Sequence, residues 1–195
     1  MPETAKPIVI TRIEVLVHPF YTGISGMVLR RYKMQGQANA KKLAHYWGEQ
    51  IQSAAKDPSA VLIVVPSPKA NWIPTKQQRR YYEERQKKLL LFAKKALGQR
   101  FFCFRNFLQF QNFNEQFNAR GFTLDKSTLH GKVFGEYLPM CVSAAQIKLC
   151  EILGINSNNL QREMRLSVGD AFEYVGGKRR RANPRKAIRR QVRGK

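Results

Sequence analysis

Apolar positions fall into two rhythms that take turns along the chain. In "IVITRIEVLVHPFY", residues 8–21, β-branched residues alternate partly with polar ones. This predicts a first strand with His18-Pro19 near its C-terminal end. Leu43, Trp47, Ile51 and Ala54 then recur every three or four positions, which predicts an amphipathic helix over about 39–55 with Asn39 as its N-cap. Ala60 to Val65 form an uninterrupted apolar run closed by Pro66 and Pro68, as expected of a strand covered on both faces. Tyr82, Leu89, Ala93 and Ala96 mark one side of a long helix over 75–97, with Gly98 as its stop. "RFFCFRNF" reads as a third strand. Phe110, Phe113 and Phe117 predict a short helix over 109–120, closed by Gly121. "KVFGEY" reads as a fourth strand, "CVSAAQIKLCEIL" as a helix ended by Gly154, and "REMRLSVGDAF" as a fifth strand.

Strand and helix alternate throughout, so the connections are expected to be right-handed βαβ crossovers. The predicted fold is α/β: a Rossmann-like three-layer sandwich with a mostly parallel sheet of about five strands and a basic, disordered C-terminal tail. The expected organisation is an N-terminal extension over 1–7, one α/β domain over 8–175 and an Arg/Lys-rich tail over 176–195.

Charge changes this picture in one respect. The 195 residues carry a formal net charge of +22. Residues 178–195, "KRRRANPRKAIRRQVRGK", hold ten Lys or Arg and no acid; without those ten charges, +12 remains for residues 1–177. Such a surface attracts polyanions by phosphate neutralisation and counterion release. RNA, DNA or a ribosome is therefore the expected partner of Lys178, Arg179, Arg180, Arg181, Arg185, Lys186, Arg189, Arg190 and Arg193. The bland alternative is a solvated tail that keeps the protein soluble. Ile188 and Val192 are too few apolar residues for membrane insertion, and no apolar run approaches the ~20 residues of a membrane span. The N-terminus lacks the signature of a signal peptide. Three cysteines without a CxxC pair suggest reduced thiols and a cytoplasmic location. Nothing in the pattern fixes an oligomeric state.

Ligands of open α/β sheets bind beyond the C-terminal ends of the strands. The candidates there are His18, then Ser67, Lys69, Asn71 and Trp72, then Arg105 and Asn106, then Glu136 and Cys141. A thiol at a helix start, an imidazole and a carboxylate make a coherent set for acyl transfer: Cys141 as nucleophile, with His18 or Glu136 as base. Ser67, Lys69, Asn71, Trp72, Arg105 and Asn106 would hold a small-molecule ligand. Each has a plainer alternative. Cys141 fills a strand–helix joint, His18 bonds a carbonyl, and Glu136 caps a turn. No metal-ligand spacing and no nucleotide-binding glycine motif is present, so no metal or cofactor is expected.

"VFGEYLPMCVSAAQIKLCEILGI" resembles a segment of the isochorismatase-like cysteine hydrolases. In that superfamily a strand ends in glycine, a nucleophilic cysteine follows six residues later with valine after it, and an alanine-containing helix runs to a closing glycine. Gly135, Cys141, Val142 and Gly154 match in kind, and "LSVGDAF" resembles the next strand with its acidic turn at Asp170. The resemblance spans about residues 105–172 and implies a cysteine nucleophile at Cys141. Where that superfamily has an aspartate and a lysine as partners, this chain has His18 (with Glu14 earlier in the strand) and Arg105-Asn106.

Overall fold

The computed structural model describes residues 7–21, 35–68, 76–135, 141–163, 174–175 and 178–179. A five-stranded sheet lies at its centre. Its strands are β2 (Arg12–Val17), β3 (Ala60–Val65), β4 (Phe101–Cys103), β6 (His130–Gly135) and β7 (Leu160–Arg162). They run in the order β4-β3-β2-β6-β7, and every pairing is parallel. Counted along the chain, that is 3-2-1-4-5, the doubly wound order of Rossmann-like folds. The remaining strands stand apart: β1 (Ile8–Ile10) pairs in parallel with β5 (Phe122–Leu124), and β8 (Tyr174–Val175) pairs antiparallel with β9 (Lys178–Arg179).

Helices cover both faces, each drawn there by its own apolar stripe. Trp47, Ile51 and Ala54 of α1 (Gln35–Lys56) and Tyr82, Ala93 and Leu97 of α2 (Lys76–Leu97) pack on Leu16, Ala60, Leu62 and Val64. The opposite face, with Ile13, Val15, Val17 and Ile63, takes α4 (Ser143–Leu153) through Ala145, Leu149 and Leu153. On this side a phenylalanine cluster also gathers from β4, β5, a 3₁₀ helix (Phe107–Asn112) and α3 (Phe113–Ala119). Phe102, for example, meets Phe113 edge-on with centroids 5.1 Å apart. The three-layer architecture expected from the pattern is therefore present.

Local departures have local causes. The first strand is broken at Thr11, whose N–H bonds to Ser59 O; this sends residues 8–10 to pair with β5 and 12–17 into the main sheet. The first helix begins at Gln35, so Asn39 lies within it and is not its N-cap. The third strand stops at Cys103, because Asn106 caps the 3₁₀ helix by accepting the Gln109 N–H at 3.2 Å. The fifth sheet strand is Leu160–Arg162, which starts two residues before the expected run 162–172; residues 164–172 of that run lie outside the described residues. The β8–β9 pair straddles the expected tail boundary at residue 176. Gly154 closes α4 with φ 60°, the left-handed cap anticipated for it.

Among the described residues no helix is long and apolar enough to cross a membrane.

Candidate functional site

In this strand order the switch point lies between β2 and β6, the central pair. Their C-terminal residues, Val17 and Gly135, stand side by side. Only glycine fits at 135: a Cβ there would lie 2.1 Å from Val17 O. The two strands therefore close tightly just below the crevice, and His18 is the first residue beyond them on β2.

His18 and Phe20 both occupy the left-handed region, with φ of 50° and 61°. Left-handed backbone costs a non-glycine residue on the order of 1–3 kcal/mol, and a residue before proline normally prefers an extended conformation. The surroundings over-determine this turn. The His18 N–H donates to Val65 O at 2.7 Å, and the Tyr21 N–H to His18 O at 3.1 Å. The Ser67 hydroxyl donates to Pro19 O at 2.8 Å. The Phe20 ring is buried against Trp47, edge-on at 4.9 Å. The turn thus sends Phe20 into the α1/α2 layer and the His18 imidazole the other way, between Tyr21 (5.6 Å, stacked) and Phe107 (5.4 Å).

The imidazole is only 8 % exposed, and its Nδ1 has no hydrogen-bond partner among the described residues. Burial disfavours the charged form and pulls its pKa from 6.5 to about 4. Near neutral pH the ring is therefore neutral, has an unspent polar atom and lies between two aromatics. An unpaired buried polar atom costs on the order of 1–3 kcal/mol.

Cys141 is half-buried and packs against the same phenylalanine cluster as Phe107. Together with Val142 it makes a wider, π-type turn ahead of α4. The positive end of a helix dipole ordinarily acidifies a thiol at a helix start. In the structure, burial pushes the Cys141 thiol up from 9.0. The other two thiols differ in setting: Cys150 is buried, whereas Cys103 is exposed, because β4 is an edge strand with Phe102 turned inward.

The remaining candidates have other duties or lie outside the described residues. Ser67 is buried and fully engaged: besides its hydroxyl bond to the strained turn, its N–H donates to Gln86 Oε1 at 2.9 Å. Asn106 is the 3₁₀ cap. Arg105 is exposed, and its N–H donates to Gln109 Oε1 at 2.6 Å. Glu14 lies mid-strand, buried and paired with Arg12 at 2.8 Å, short of the strand end. Burial raises its pKa despite that arginine. Lys69, Asn71, Trp72, Glu136 and the cations beyond Arg179 lie outside the described residues, as do the side chains of Lys178 and Arg179.

The structure adds Tyr21 and Phe107, the two aromatic walls, which sequence reasoning had not selected. The aromatic density of "FRNFLQF" was the only available signal. Among the described residues no three His, Cys, Asp or Glu side chains gather as they would around a metal ion. No protein-family model, curated protein or solved structure matches the chain.

Proposed function

We propose that this protein binds a small polar molecule in the crevice at the β2/β6 switch point, with His18 as its anchor. One observation carries the reading: a buried, neutral imidazole with an unspent Nδ1, held in strained backbone at the C-terminal end of the central strand. Strain of this kind concentrates where function requires it, and the crevice beyond the strand ends is where such folds take ligands. The Tyr21 and Phe107 rings supply apolar walls, and the imidazole supplies one directional polar contact, the usual balance of a small-molecule site.

The narrower form of the proposal is a cysteine hydrolase of the isochorismatase-like kind, with Cys141 as nucleophile and His18 or Glu136 as base. The electrostatics of the free protein favour binding over hydrolysis. Burial raises the thiol and lowers the imidazole, so a proton passing from Cys141 to His18 would leave a weak acid for a weaker base.

The test is a screen of small amides and carboxylates against protein carrying ¹³C-labelled histidine. Binders are expected to shift the His18 ring signal, to slow alkylation of Cys141 and to lose affinity with His18→Ala. If no compound of either class moves that signal, or if binders hold equally well to His18→Ala, the reading falls. A second reading rests on the ten Lys or Arg of residues 178–195: this segment anchors the protein to RNA, DNA or a ribosome by charge, with little sequence preference.

A further inference from the structure

The outer surface of α2 carries exposed aromatic rings and cations on one face. Tyr81 and Phe92 are 43 % and 40 % exposed, although rings of this size normally seek burial. Tyr81, Arg85, Lys88, Phe92 and Lys95 follow at spacings of four, three, four and three, which puts them on one stripe of the helix. Two rings and three cations therefore share a single line of about 21 Å, at 1.5 Å per residue, with Arg85 and Lys88 between the rings and Lys95 beyond Phe92. The Arg85 guanidinium lies over the Tyr81 ring, 4.6 Å from its centroid.

Tyr81, Arg85, Lys88 and Phe92 line a groove of about 540 Å³ between α1 and α2, which Phe20, Ala44 and Gly48 also line and which has Glu84 as its one carboxylate among the described residues. Gly48 has open space where a Cβ would sit. The only acids of α2 are Glu83 and Glu84, and Arg79 and Arg80 pair with them at 3.0 and 3.5 Å. From Arg85 to Leu97 the helix has five cations and no acid.

We infer that this stripe and groove form a binding surface for single-stranded nucleic acid, with bases stacking on Tyr81 and Phe92 and phosphates meeting Arg85, Lys88 and Lys95. Rings interleaved with cations are what sequence-tolerant single-strand binders use: every base has a face to stack, and every linkage has a charge to neutralise. A duplex buries its base faces and could use only the cations. The +12 that remains on residues 1–177 supplies long-range attraction for such a polyanion. This inference stands apart from the crevice reading, and it concerns the folded domain rather than residues 178–195.

The experiment measures fluorescence anisotropy of a labelled oligouridine and of a DNA duplex of equal length, over a salt series. It uses the full chain and the chain ending at residue 177. Oligouridine is expected to bind more tightly than the duplex, and truncation is expected to weaken both without removing that preference. Tyr81→Ala and Phe92→Ala should each weaken oligouridine binding about tenfold, within the range typical of one lost stacking contact. Tyr81→Phe should retain it. Lys88→Ala should reduce the salt slope by about 0.7. Both rings are exposed, and unchanged melting temperatures would verify that the variants fold. If Tyr81→Ala with Phe92→Ala binds as the parent does, or the duplex binds as well as the single strand, the inference is overturned. Loss of all binding on truncation, with the ring variants silent, would overturn it too while supporting the C-terminal anchor. Equal competition by polyglutamate would show that the surface reads charge alone and would also refute it.

Discussion

His18 combines burial, left-handed backbone and a ring nitrogen unpaired among the described residues, and its protonation should be visible in stability. Between its usual value of 6.5 and about 4, the unfolded chain takes up a proton at this position that the folded chain refuses. The unfolded state then holds more protons, so the His18 contribution makes stability fall as pH falls through that window, by up to about 3 kcal/mol. His18→Asn tolerates left-handed backbone and does not titrate there. The difference in urea midpoint between parent and variant should therefore change between pH 7 and pH 4.5, in favour of the variant at the lower pH. A constant difference would mean that the imidazole is not neutral and buried. The position of His18 at a strand end is readable from "EVLVHPFY". Its left-handed backbone is not, because residue type favours an extended conformation before proline and only the surrounding bonds from Val65, Ser67 and Tyr21 impose the turn.

At the scale of elements, stripe and run lengths were enough to place the helices and the buried strand 60–65. Their joints needed long-range partners. Arg100 illustrates this. It lies in a 3₁₀ turn after α2, yet its guanidinium donates to Ala54 O (3.1 Å), Ala55 O (2.9 Å), Asp57 O and Ala60 O (2.9 Å). One cation thereby caps carbonyls of the last turn of α1 and ties them to the turn at Asp57 and the start of β3. Hydrogen bonds to a charged donor contribute more than neutral ones. Arg100→Ala should cost about 2–3 kcal/mol, a fall of roughly 4–12 °C in melting temperature for a chain of this size. Arg100→Lys should recover only part, because an ammonium lacks the guanidinium fork. Calorimetry of the three proteins checks both. The short fifth strand is another such joint. Leu160–Arg162 has little strand character of its own, and it pairs with β6 because the turn after α4 delivers it there. The Gln146 side-chain amide helps, donating to Ser157 O at 3.1 Å and to Leu160 O at 2.5 Å.

For the whole molecule, the first expectation concerns charge. Removing residues 178–195 should lower affinity for both RNA and DNA and flatten the salt dependence of binding, by about 0.7–0.9 in log–log slope for each cation engaged. If affinity and slope are unchanged, the C-terminal anchor is wrong. The chain by itself determined the charge and its concentration at the C-terminus, the alternation of strands and helices, and hence a parallel sheet covered on both faces. These follow from local periodicity and from the rule that each apolar face must be covered. Only the tertiary structure decided the order 3-2-1-4-5, which neighbours meet at the switch point, and whether a candidate side chain is exposed, engaged or left unpaired. Order and pairing are properties of contacts between distant segments. Burial raises the Cys141 thiol and disfavours the charged form of His18, and the hydrogen bonds of Ser67 make it a brace for the strained turn.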